Sequence, residues 1–448
     1  MLPPSHEDHL SRELLAELDR GSVSAEALER VLMTEAARHC PTCRAALEAF
    51  VAVRRARQAP GAVIAFPGAR RRSASPDDSP EAREARRFVT QLERLAPDHR
   101  LDRVLLSRRH LRGPWVVEAM LARALDSLPG RPDESAMWAE LALRTANRSE
   151  GATAALETRL TAGTARAWAL LGNAARIAGD LPEADRRFER AAAIVRHESV
   201  TDLRTLAELR SLAGALRRDQ RRFGEAESLL TTAAELLTSL GEDREVARTY
   251  LLLTTVHMAA GLPERMLETL AKVRPLIDTT ADRRMYWASV HNEIVGLIEL
   301  CHFPLAAALL DESRSLYAEF ADPYTQLRHH WVKGLVASGL GRTVQAEMEL
   351  RVTQEGFLRE QSVYDAALVS LDLAILWLEQ GRRAEVQELA VGMVSTFAAL
   401  GIHREALAAW RLFAEAASQE RATVELARRL ARYLGLARRD PRHAFSPE

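Results

Sequence analysis

Two cysteines in the run Cys40-Pro41-Thr42-Cys43 are the residues of this sequence whose types and spacing could do chemistry. Thiolates separated by two residues can share one tetrahedral zinc ion, with histidine or carboxylate completing the shell. Candidates for completion stand close by at His39, Glu35, His9 and His6. The expected set is Cys40, Cys43, His39 and His9, with Zn²⁺ as the cofactor. Two other readings stand beside it: a helical remnant with two unligated thiols, or a redox pair, for which no thioredoxin-like βαβ unit is present. The third cysteine, Cys301, sits between Leu300 and Phe303 and is expected in the core. Elsewhere the sequence has no phosphate-binding loop, dinucleotide fingerprint, H-E-x-x-H or G-x-S-x-G motif. His257, His329 and His330 lie on helical faces, where they pack or meet solvent. No enzyme is expected.

Short helices must position the cysteine pair. Leu10, Leu14, Leu15 and Leu18 share one face, Gly21 breaks the run, and Ser22 or Ser24 can cap a second helix over Ala25–Arg38. A third can run over Arg44–Arg57, so residues 1–57 read as a small helical, zinc-finger-like module. Residues 58–80 follow as a linker: Pro60, Gly61, Pro67, Gly68, Arg70–Arg72, Asp77 and Asp78 leave nothing to bury. Helical periodicity resumes over 81–435, and 436–448 form a tail. With 61 basic against 62 acidic residues, no global field recruits nucleic acid or an anionic membrane. No apolar run is long enough for a membrane helix or a signal peptide, so the expected location is cytoplasmic.

The long helical region carries a repeat. A small or apolar residue recurs at Ala184, Ala226, Met266, Ala306, Ala346 and Val386, first 42 and then 40 residues apart. A period in this range marks stacked helix pairs, none of which can bury its apolar face alone. Gly172, Gly214 and Gly334 are expected to let paired helices approach closely. Gly179, Gly261, Gly341 and Gly381 are expected where a first helix ends with positive φ. Phe188, Leu230, Leu270, Leu310 and Leu350 should fill the space between units. An irregular pair built on Ala136 is expected before the array, and a capping pair at 403–434 after it.

The copy Trp168, Leu171, Gly172, Gly179, Ala184, Phe188, Ala191 resembles the tetratricopeptide repeat (TPR) family over about residues 115–435. The likeness implies an all-α, superhelical solenoid of antiparallel helix pairs, with the period stretched from 34 to about 40 by longer helices or connections. Two copies depart from it by placing Thr254 and Ile294 where glycine stands. The resemblance puts a partner-binding wall on first helices, at Asn173, Arg176, Arg218, Arg248, His291, Asn292 and Arg328. A carboxylate clamp for peptide C-termini is not expected, because its positions hold Ala169, Leu251 and Thr255. The segment His9–Phe50 resembles a zinc-binding anti-sigma module, ending in its Cys-Pro-x-Cys-Arg turn, although Ala36 and Glu35 occupy the usual histidine places. Two functions follow as expectations. One is a scaffold for a protein or peptide partner in bacterial signalling or regulation. The other is an anti-sigma-like regulator that captures a sigma factor.

Overall fold

The chain divides into two units, Met1–Arg71 and Arg72–Glu448. The structure, a computed structural model, describes residues 79–107, 113–127, 131–149, 153–198, 200–399 and 404–437, all within the second unit. Every regular element among them is a helix. The helices are α1 (Pro80–Glu93), α2 (Pro97–Leu105), α3 (Pro114–Ser127), α4 (Pro132–Ala146), α5 (Ala154–Ile177), α6 (Leu181–His197), α7 (Leu203–Asp219), α8 (Phe223–Ser239), α9 (Asp243–Ala259) and α10 (Pro263–Val273). Then come α11 (Arg283–Glu299), α12 (Phe303–Glu312), α13 (Arg314–Ala318), α14 (Pro323–Gly339), α15 (Thr343–Arg359), α16 (Val363–Glu379), α17 (Arg383–Ala399), α18 (Arg404–Ser418) and α19 (Val424–Ala437).

The longer period has a simple origin. Most helices of the array run for 17 residues, and the connections either side of α8 hold three residues each. Two such helices with two such connections account for the 40. The connection between α6 and α7 holds two residues more, and this is the source of the first interval of 42.

Each second helix buries its fourth residue. Ala184, Ala226, Met266, Ala306, Ala346 and Val386 are at most 1% exposed, and Ala427 of α19 continues the series. In the pair α3/α4 the matching residue is Ser135, fully buried, and not the expected Ala136, which lies one position on and is half-buried. Opposite these contacts the first helices carry the expected glycines. A Cβ on Gly172 would meet the Phe188 ring at 3.0 Å, and one on Gly214 or Gly334 would meet Leu230 or Leu350 at 2.8 Å. The filler residues Phe188, Leu230, Leu270, Leu310 and Leu350 are all buried.

First helices end in a left-handed residue, where Gly179, Gly261, Gly341 and Gly381 have φ of 71–83°. The same turn falls to Arg221 (φ 60°), Cys301 (φ 57°) and Glu420 (φ 54°) at the ends of α7, α11 and α18, where no glycine stands. Cys301 is therefore an exposed turn residue, not a core one. Of its apolar neighbours, Leu300 caps the end of α11 and Phe303 opens α12, and the left-handed position between them points outward.

The core is a series of clusters passed from unit to unit. One gathers α1 to α5 around Trp138, Met120 and Leu170. Another closes the C-terminal end around Trp410, Phe397 and Phe413, with α19 packed on α16. Trp410 donates its indole N–H to the Ala390 carbonyl at 2.9 Å, so this terminal anchor is satisfied as well as buried.

Candidate functional site

The first helices carry a ribbon of polar side chains whose bonds cross from one unit to the next. Arg166 of α5 donates to Glu208 of α7 at 2.8 Å. Further along α5, Arg176 donates to Asn173 Oδ1 at 2.8 Å and to Asp219 of α7 at 2.5 Å. Asp219 also accepts from Arg218 at 2.9 Å, and Arg218 reaches on to Thr255 of α9 at 2.8 Å. Asn292 of α11 donates to Thr254 of α9 at 3.1 Å. Trp331 of α14 donates its indole N–H to Asp372 of α16 at 2.7 Å.

The electrostatics follow from burial. The Asp219 side chain is 4% exposed, between two guanidiniums that are 15% and 11% exposed. Burial lowers the Arg176 pKa, and Asp219 works against that shift. A buried carboxylate bonded to two cations is expensive to expose on one side only. These groups are accordingly fixed in place. Asp372 differs, because its partner is an indole and not a cation. Burial pushes its carboxyl up to about 7, with the nearby Glu299 charge adding to the rise.

The structure divides the expected wall residues. Asn173, Arg176, Arg218 and Asn292 belong to the ribbon. Arg248 is 55% exposed and reaches only Glu245, at 3.5 Å. Arg328 lies 4.8 Å over the Tyr324 ring. His291 is not on the wall: it is buried, its Nδ1 stands 2.8 Å from the Tyr317 hydroxyl, and its ring stacks on Trp287. Burial, with the charges of Arg328 and His329, pushes it down to about 3, so it is neutral near pH 7. Of the clamp positions, Ala169 is fully buried and Thr255 is taken by Arg218. His9, His39, Cys40 and Cys43 lie outside the described residues, as does the rest of the expected zinc module.

One arrangement escaped the reading of the sequence. The second residue of three successive first helices is arginine: Arg204, Arg244 and Arg284. Each pairs with the residue just before the next first helix, namely Glu242, Asp282 and Asp322. Arginine at intervals of 40, answered by a carboxylate 38 residues later, was the available signal.

No family model matches the sequence, and no curated protein matches it. Among solved structures, the chain is similar to the crystal structure of a Rap protein complexed with competence and sporulation factor. The TM-score is 0.54 at 13% identity, with 72% of this chain and 88% of that one covered. The two chains share a fold. At that identity the likeness establishes stacked helix pairs of the TPR-like kind and nothing finer. No helix among the described residues is long and apolar enough to cross a membrane.

Proposed function

We propose that this chain is a non-enzymatic scaffold that binds a protein or peptide partner along the wall formed by its first helices, in bacterial signalling or regulation. The observation that carries the reading is the ribbon itself. Its side chains are held by bonds between units, so the wall meets a partner already ordered and little side-chain freedom is lost on binding. Helical solenoids present such extended walls, and these commonly serve recognition. The Rap protein of the same fold was crystallised with a bound factor, which agrees with this use.

Arg248 and Asn292 are the positions to probe, one exposed and the other at the edge of the ribbon. Affinity capture from an extract of the source cell with the full-length chain should recover a partner. Calorimetry with that partner should then show binding about tenfold weaker for Arg248→Glu or Asn292→Ala. Failure to recover any partner, or a recovered one indifferent to both substitutions, would sink the assignment of the wall.

A further inference from the structure

The step from α6 to α7 is built differently from the steps between α8 and α9 and between α15 and α16. Its connection is two residues longer than either of theirs. Helix α7 packs closely on α5 and α8 but only lightly on α6. A cleft of about 610 Å³ lies in the resulting gap, between the successive second helices α6 and α8 and with α7 as its floor. Leu206, Leu209 and Ala213 line the floor, Ala192 and Val195 one side, and Leu229 the other.

This surface is separate from the ribbon. On α7, residues 206, 209, 210, 213 and 217 form one stripe that faces the cleft. Glu208, Ser211, Arg218 and Asp219 form another, which bonds to α5 and α9. The spacing of three and four residues makes the cleft stripe continuous over about three helical turns, or about 16 Å.

The charges at the rim are unequal. Arg217 is held by Asp185 at 2.7 Å and by Gln220 at 2.6 Å, and Glu225 is held by Arg222 at 2.6 Å. Arg210 bonds only the Leu206 carbonyl, at 3.2 Å. Among the described residues no carboxylate pairs with Arg210 or with the exposed Arg196. Glu189 is the one rim carboxylate left outside an ion pair. The excess is cationic, above an apolar floor.

We infer that this cleft docks an amphipathic helix of a partner protein, with aliphatic residues on Leu206, Leu209 and Ala213 and carboxylates on Arg196 and Arg210. A channel between two helices takes a third by laying its apolar stripe on the floor, and the flanking charges fix its orientation. The inference stands independently of the wall proposed above, because it uses the opposite stripe of α7.

The test uses the full-length chain and two labelled synthetic peptides of about four helical turns. Both carry leucines at helical spacing; one is flanked by glutamates and the other by lysines. Fluorescence anisotropy should show the glutamate peptide binding about tenfold more tightly. The double variant Arg196→Glu, Arg210→Glu changes two residues without ion pairs, so its helical circular dichroism should match the parent. In that variant the preference should reverse. Equal binding of the two peptides, a preference that survives the reversal, or binding of neither would overturn the inference. Self-association of the chain that ignores both peptides would assign the cleft to a second copy and overturn it too.

Discussion

The pairs α7/α8 and α14/α15 close in one way, and the pairs α9/α10 and α11/α12 in another. In the first kind a glycine, Gly214 or Gly334, lies beneath a leucine of the partner helix, and the second helix runs unbroken for 17 residues. In the second kind Thr254 or Ile294 occupies that place, and the second helix stops after 11 or 10 residues. Pro275 ends α10 by removing a backbone donor and crowding the preceding turn. Ser313 ends α12, its hydroxyl bonded back to the Leu309 carbonyl at 2.7 Å.

Each pair of the second kind also holds a buried histidine. His257 stands 3.3 Å from the Thr269 hydroxyl, and His291 stands 2.8 Å from Tyr317. One repeat is thus realised by two kinds of contact: close apolar packing over glycine, and looser packing completed by a neutral imidazole. The small fourth residue of the second helix is common to both kinds.

The largest effect should come from closing the glycine gap. Gly214→Val or Gly334→Val puts a branched side chain where a Cβ alone would stand 2.8 Å from the leucine Cγ. Overpacking of this kind should cost about 3 kcal/mol. Ile294→Val, in a pair already built around a branched residue, should cost about 1 kcal/mol. Urea unfolding of the three variants reads the contrast. Similar losses in all three would mean that glycine is incidental to the pairing.

Acid should separate the two kinds of pair. Burial lowers the pKa of both His257 and His291, the latter to about 3, and His329 stacked on Tyr317 falls to about 4. The folded state binds these protons more weakly than the unfolded chain, whose histidines titrate near about 6.5. Stability from these sites is therefore complete above that value and is lost as pH falls from about 6.5 toward about 4. Amide-exchange protection in α9–α13, corrected for intrinsic rates, should drop about tenfold more than in α7 and α8 between about pH 7 and about pH 5. His291→Phe should flatten part of that difference. A uniform loss along the array would dissolve the distinction.

Much of the fold was legible because burial of the fourth residue in each second helix repeats with little drift. Ala184 through Val386 announce the stack before any helix is drawn. The misreadings share a physical cause, which is that neighbours in sequence do not report direction in space. Cys301 is flanked by apolar residues yet occupies an exposed left-handed turn. His291 and Asn292 are adjacent, but one points into its own unit and the other toward the preceding one. The ladder of Arg204, Arg244 and Arg284 was hidden by abundance, since arginine is common on every face of this chain. The cleft beside α7 could be read only as an interval of 42 instead of 40, a hint without a direction.

The smallest effect tests what the fourth position requires. Ser135 is fully buried at the place where later units put alanine, and its hydroxyl has no hydrogen-bond partner. His291, bonded to Tyr317, shows that a polar group is tolerated between packed helices when it is bonded; the Ser135 hydroxyl is a case in which it is not. A buried hydroxyl without a partner carries a desolvation cost that alanine of nearly the same volume avoids. Ser135→Ala should therefore stabilise the chain, by about 1 kcal/mol. The change should raise the urea midpoint and leave the slope of the transition as it was. A fall in the midpoint would show that the hydroxyl has a role in the pair α3/α4, and that small size alone does not define the position.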